Sequence, residues 1–392
     1  MLFQLSLVSE IDEELACEII KESAFVSPHI KSFDLDISNK VVCVELDSEN
    51  NLEVVREQTE RFLAAMTCGY RASESKIIFE HQRVKKQYEE NVYKQLVQNG
   101  WLYEVGPGHV SLAGPALELF RLIDSKALML YRTRFDVSEQ SFPAFIPSKT
   151  VAECGYFDSH PNNVTLATHL VNDFDVIENF RINEGKTGDF STVQNTHIAT
   201  PCLCLNPAAC LPAYPIFKDK TVSNPITLSW LGRVFRFEST NVKGLERLWE
   251  FNVRELVFLG SGQFVDESRV QAISLIKELI KYLDIDAKIQ TATDPFFATI
   301  SNARKLWQKS LEAKFELKLP IGHVDGEEQT VAAGSINSHS TFFAEKFNIL
   351  LEDGYAQTAC VGLGIERIML ACITQHGFDR ANWPAEIAKQ VF

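Results

Sequence analysis

The chain has 392 residues, 45% of them hydrophobic and 23% charged, with 27 phenylalanines and a formal net charge of −14. That length predicts two or three domains with ample core, and the composition excludes a disordered chain. The acidic balance argues against a protein that simply coats nucleic acid. No run reaches the roughly 18 apolar residues of a membrane span, and the opening MLFQLSLVSEIDEELACEII has no basic leader. Nine scattered cysteines without a framework predict reduced thiols. The expected location is cytoplasmic, with no membrane partner.

In chain order, MLFQLSLVS alternates as a strand and EIDEELACEIIKES has helical periodicity. IKSFDLDIS and KVVCVELDS alternate again around a turn at Ser38, Asn39 and Lys40, and NLEVVREQTERFLAAMTCGY follows as an amphipathic helix. This β-α-β-β-α order predicts a small N-terminal α+β unit of ferredoxin-like character, residues 1–78. Residues 79–392 form the second unit, opening with a helical segment. HQRVKKQYEENVYKQLVQNG reads as a helix stopped by Asn99 and Gly100, and ALELFRLIDSKALMLYRTRF as another. Thereafter TLSWLGRVFRFEST, LVFLGSG, AKIQTAT, KFELKLPI and TVAAGSINS are β-like. Strands in succession before one late helix predict an α+β fold, an antiparallel sheet flanked by helices.

Three segments carry the chemistry. LNPAACLPAY contains Cys210, FRFE at 235–238 contains Arg236 and Glu238, and TACVGLGIERIML contains Cys360, Gly364 and Arg367. The last has G-x-G-x-x-R without the third glycine of a dinucleotide fingerprint, and no strand–helix–strand unit surrounds it. Cys202, Cys204 and Cys210 form a tempting local cluster, but TPCLCLNPAAC lacks a fourth ligand and reads as a strand with small buried thiols. His339 and His376 are read as polar structural residues.

The order of these segments resembles class II aminoacyl-tRNA synthetases, in which an F-R-x-E strand–loop–strand precedes a G-x-G-x-E-R strand–helix. FRFE and GLGIER match both. The resemblance implies a class II synthetase-like sheet that binds ATP with Mg²⁺, through Arg236, Glu238, Gly364 and Arg367. Arg236 would hold the α-phosphate and Arg367 the γ-phosphate, both as catalytic residues, and Glu238 would read the adenine amino group or pair with a neighbouring Arg.

Two branches of that class share a Cys–Glu–Cys zinc that binds the substrate amine: archaeal-type seryl-tRNA synthetases and the amino acid:[carrier protein] ligases. Their patterns fall here on Cys210, Glu255 and Cys360, implying Zn²⁺. The carrier-protein ligases resemble residues 80–392 best, through FPAFIP, CGYFDSHP, TDPFF at 293–297, KFELKLPI, GSINSHSTFF and HGFDRANWP. That resemblance places Glu316, Ser335 and Asn337 on the substrate. It implies a homodimer that adenylates a small amino acid (Gly, Ala, Ser or a nonstandard one) and passes it to the phosphopantetheine thiol of a carrier protein, without tRNA. The alternatives are a seryl-type tRNA synthetase and a non-catalytic, synthetase-like regulator. The N-terminal unit departs from the compact ligase pattern, and its acidic helix argues against RNA.

Overall fold

The computed structural model describes residues 1–7, 11–68, 70, 75–84, 87–191, 193–292, 312–324 and 326–392. The TDPFF segment at 293–297 lies outside the described residues.

The N-terminal unit is a three-stranded antiparallel sheet in the order Leu2–Ser6, Val41–Leu46, Ile30–Asp36. Period-two alternation puts Val42, Val44 and Leu46 on one buried face. Helices Glu13–Glu22 and Leu52–Thr67 cover that face with Leu15, Ile19, Val55, Leu63 and Met66. Asp12 caps the first helix by accepting from the Leu15 N–H. The expected β-α-β-β-α order is present, and among the described residues the sheet has three strands, not the four of a ferredoxin-like sheet. The next strand, Ile77–His81, pairs instead with Ala287–Thr291.

That pairing belongs to an eight-stranded sheet. Its order is Ile77–His81, Ala287–Thr291, Lys314–Val324, Glu327–Ser340, Gln357–Gly364, Glu250–Gly260, Ile226–Phe235 and Ser138–Glu139. All pairings are antiparallel except the last, between Ile226–Phe235 and Ser138–Glu139. Helices Gly114–Arg132, Gly262–Leu283, Ile365–His376 and Ala385–Val391 pack on one face. Leu256, Phe258, Ala359, Val361 and Leu363 point into that layer; each large apolar side chain buried there contributes about 1.5–3 kcal/mol. The residues between them in sequence point to the opposite face, which carries the chemistry. Among the described residues, no helix is long and apolar enough to cross a membrane.

Two sequence expectations need correction. The helix expected from residue 81 begins only at Val92. The residues before it commit their backbone to tertiary bonds: the Arg83 N–H donates to the Asp286 carboxylate and the Glu89 N–H to the Thr374 carbonyl. The unexpected hairpin Leu102–Gly106 with His109–Leu112 then follows that helix. Second, the β-like run TLSWLGRVFRFEST does not continue as a strand through Arg236 and Glu238. The ladder ends at Phe235, and Glu238 caps a short 3₁₀ turn, Ser239–Asn241.

Candidate active site

Glu255, Cys360, Ser335, Asn337, Lys314 and Glu316 lie on the same face of neighbouring strands. The register pairs Val257 with Cys360, Glu255 with Gly362, Ser335 with Gly362, Asn337 with Cys360, Lys314 with Asn337 and Glu316 with Ser335. Because side chains alternate, Glu255 shares the face of Val257 and so meets Cys360 diagonally. Cys210 reaches them from the turn before Leu211–Ala213. The ligand atoms of Cys210, Glu255 and Cys360 all lie within 4.8 Å of one another, the sole such group of three among the described residues.

Three acidic groups in so small a space compete for protons. Cys360 donates to Cys210, which holds the Cys210 thiol below its ordinary range and pushes Cys360 well above it. Burial, then the negative charge on Cys210, pushes Glu255 well above the carboxylate range. A dication offsets such a cost, because it favours thiolate and carboxylate together. Two thiolates and one carboxylate are a donor set zinc accepts, and three protein ligands leave one coordination position open. The residues present therefore fit Zn²⁺.

Glycine at 362 follows from this packing. A Cβ there would sit 2.9 Å from a Glu255 carboxylate oxygen and 3.1 Å from Val253. Asn337 donates to Ser335 at 3.2 Å and to the Cys360 sulfur at 3.6 Å. His339 Nε2 lies 3.6 Å from the same sulfur, while its Nδ1 faces Thr358 Oγ1 at 3.2 Å and the Tyr214 hydroxyl at 3.4 Å. Glu316 lies on the face expected, but both its oxygens are engaged, by Lys314 at 3.0 Å and Lys318 at 3.2 Å. Burial acts to raise this carboxyl, and the two lysines outweigh it and hold it below the usual range.

The cationic half of the site gathers Arg236, Arg247 and Arg367. Arg236 Nε donates to the Pro207 carbonyl at 3.0 Å, and its guanidinium lies over the Phe251 ring. Arg367 donates to the carbonyls of Glu246 and Ala332, each at 2.7 Å. Burial, then the charges of Arg236 and Arg247, lowers Arg367 to about 10. Glu238 contacts Arg247 at 3.6 Å. Guanidinium groups gathered this closely form a site for a polyanion. Gly364 caps the helix Ile365–His376, and a Cβ there would meet only the Ala333 carbonyl, at an ordinary 3.5 Å. The two halves are adjacent, since Arg236 acts electrostatically on both Cys210 and Glu255.

Cys202 is exposed and Cys204 is packed in the core, so neither joins the cluster. His376 is buried with Nε2 2.9 Å from the Leu283 carbonyl, a structural role. Sequence reasoning missed Arg247, Glu366, Lys314 and Lys318. The lysines were findable, because KFELK places them two residues either side of Glu316 on an alternating strand. Glu366 accepts from the Asn252 backbone N–H and side-chain amide, tying the helix to the strand Glu250–Gly260.

The family model "tRNA synthetase class II core domain (G, H, P, S and T)" matches residues 197–376. A type-2 serine–tRNA ligase of Methanopyrus kandleri is 26% identical over 325 residues, 78% of this chain and 60% of that protein. The Methanocaldococcus jannaschii counterpart is 27% identical over 74% of this chain and 57% of its own length. An amino acid–[acyl-carrier-protein] ligase of Bradyrhizobium diazoefficiens is 29% identical over 63% of this chain and 74% of its own. The chain spans about three fifths of the length of the serine–tRNA ligases it matches. Among solved structures, M. kandleri seryl-tRNA synthetase bound to a tRNA superposes with a TM-score of 0.72 at 21% identity, covering 100% of this chain and 77% of that one. Cytoplasmic serine–tRNA ligase from Naegleria fowleri, in complex with AMP, gives 0.61 at 12% identity, covering 88% of this chain and 79% of that one. The chain therefore has a class II synthetase-like α+β fold, shared with the serine–tRNA ligase structures, and residues 197–376 match the class II core model.

Proposed function

We propose that this chain activates a small amino acid with ATP, forming an aminoacyl adenylate and releasing pyrophosphate. The observation that carries the reading is the convergence of Cys210, Glu255 and Cys360 beside the guanidinium groups of Arg236 and Arg367. A substrate carboxylate is already an anion at neutral pH, so its attack on the α-phosphorus needs no protein base. The bond from that phosphorus to the bridging oxygen breaks, and pyrophosphate departs with the electron pair. Arg236 would meet the α-phosphate and Arg367 the γ-phosphate, with Glu238 and Gly364 at the nucleoside. Held in place by their carbonyl and ring contacts, the guanidinium forks stabilise developing charge without reorganising. Mg²⁺ would accompany ATP. Zinc, when held by Cys210, Glu255 and Cys360, supplies a Lewis-acid position for the substrate amine. Ser335 and Asn337 flank that position, and Glu316 orders the lysines beside it.

For the acyl acceptor, the order of the two readings reverses from the sequence expectation. The type-2 serine–tRNA ligases match more of this chain than the carrier-protein ligase does, 78% against 63% for the two proteins named. They support serine and tRNA. The carrier-protein reading keeps the support of the Bradyrhizobium relative and of the acidic first helix, EELACEIIKE. A homodimer is proposed for either reading.

The test is amino-acid-dependent ATP–pyrophosphate exchange across glycine, alanine and serine, with zinc determined on the same sample. Exchange with serine that is lost on stripping zinc supports the reading. Transfer of the labelled amino acid to tRNA or to a phosphopantetheinylated carrier protein then decides the acceptor. No exchange by folded, zinc-containing protein would move the assignment to a nonstandard amino acid or to a non-catalytic regulator.

A further inference from the structure

The N-terminal unit is not a bystander to the nucleotide half of the site. The loop after FRFE runs from Glu238, through Ser239 to Asn241, towards Arg247, and it rests on the end of the first helix. Asn241 Nδ2 donates to the Lys21 carbonyl at 2.8 Å, and the Ser239 hydroxyl donates to the Ala24 carbonyl at 3.2 Å. The Phe25 ring meets Phe237 edge-on at 6.2 Å, and Phe237 in turn meets Trp249. Glu22, only 4% exposed, accepts from Asn162 Nδ2 at 3.2 Å, while the neighbouring Asn163 carbonyl accepts the Phe237 N–H.

Ser239 adds an independent observation. Its φ is +50°, a left-handed conformation that a non-glycine residue adopts at a cost. Such a residue persists where its surroundings over-determine it. Glycine would serve the turn better, but glycine has no hydroxyl to reach Ala24. The charges also meet here: Lys21 and Glu22 both feel Glu238, and Lys21 feels Arg247 and Arg236.

We propose that the end of the first helix and the 3₁₀ turn after it, Lys21 to Phe25, form a seat that positions the nucleotide loop, so that Glu238 and Arg247 meet ATP in a fixed geometry. Ser239, Asn241 and Glu22 are positioning residues in this scheme and touch no substrate. The inference rests on the nucleotide reading of the Arg236–Arg367 site and adds to it a role for the N-terminal unit.

The test is a calorimetric titration of the full chain with Mg²⁺ and the non-hydrolysable ATP analogue AMPPNP, so the amino acid need not be known. Wild type is compared with Ser239→Gly, Asn241→Ala and the double variant, with Arg236→Ala as the control for lost binding. Ser239→Gly relieves the backbone while removing the hydroxyl, so its melting temperature holds or rises. A merely structural seat would then leave affinity unchanged. Each single variant is expected to weaken AMPPNP about fivefold, equivalent to ~1 kcal/mol, with zinc content unaltered. In exchange assays KM for ATP should rise in the same proportion while kcat holds. Wild-type affinity in both single variants and the double would overturn the seat and leave the nucleotide reading intact. Folded wild type that fails to bind AMPPNP would overturn the nucleotide reading, and the seat with it.

Discussion

Glu255 and Gly362 face each other across two antiparallel strands, and the Glu255 carboxylate lies over the space where residue 362 would carry a side chain. The glycine thus serves the putting together of the three-donor cluster as much as the backbone. Gly362→Ala is expected to push Glu255 away from Cys210 and Cys360. Displaced ligand groups and their supports typically cost 10- to 100-fold in metal affinity. Zinc retained after dialysis against a competing chelator is the measurement; retention equal to wild type would remove Glu255 from the ligand set.

The two motif arginines should both bind ATP and stabilise the charge that develops in the transition state. Arg236→Ala and Arg367→Ala are each expected to slow pyrophosphate exchange by about 10²–10³-fold, the usual cost of removing one preorganised donor. Arg367→Lys should not rescue, because a lysine cannot hold the Glu246 and Ala332 carbonyls and still present a fork. Exchange rates within a few-fold of wild type for either alanine variant would contradict the assignment.

Glu366 supplies a pH signature. Burial raises its carboxyl from 4.5 to about 6, against the opposing hydrogen bonds from Asn252. The folded state therefore binds this proton more tightly than the unfolded chain. Its contribution is fully present below pH 4.5 and is lost as pH rises through about 6. The change amounts to roughly 2 kcal/mol. Glu366→Gln removes the titration but keeps an acceptor for Asn252. Denaturant unfolding of both proteins at pH 4.5 and pH 7 should show wild type losing that amount relative to the variant. Parallel pH profiles would show that Glu366 ionises normally.

Glu316 stands between two lysines, one of them buried, and so is expected to act on stability before it acts on substrate. Glu316→Ala removes the carboxylate that pairs with buried Lys314, and breaking such pairs costs about 3–5 kcal/mol. Removing both charges together, as Glu316→Gln with Lys314→Met, should cost less. Equal losses for the single and double variants, read by denaturant unfolding, would show that the pair is not coupled.

Much of the candidate site is legible in the chain because local patterns specify it. FRFE and GLGIER are short, their residue types have a chemical reason to stand together, and Arg236, Glu238 and Arg367 can be named from them, with Cys360 named from the cysteine pattern just before GLGIER. Alternation also assigns Ser335 and Asn337 to one strand face. The helix expected at residue 81 shows the limit of such reasoning. Its periodicity is sound, but Asp286 and Thr374, far away in sequence, take the backbone N–H groups that a helix would have used. The three-stranded N-terminal sheet is a similar case, since Ile77–His81 finds its partner, Ala287–Thr291, in a distant part of the chain.

By itself the sequence determined the residue types of the site, the α+β class and the period of each strand, because these depend on neighbours a few positions apart. Only the tertiary structure decided that Cys210, Glu255 and Cys360 converge, since their contact depends on the register of strands and a turn separated by 45 to 150 positions. It alone engaged both oxygens of Glu316, placed Arg247 among the cations and set the first helix beneath Ser239 and Asn241. Strand register and domain docking are settled by burial summed over the whole sheet, and no short stretch of chain contains that sum.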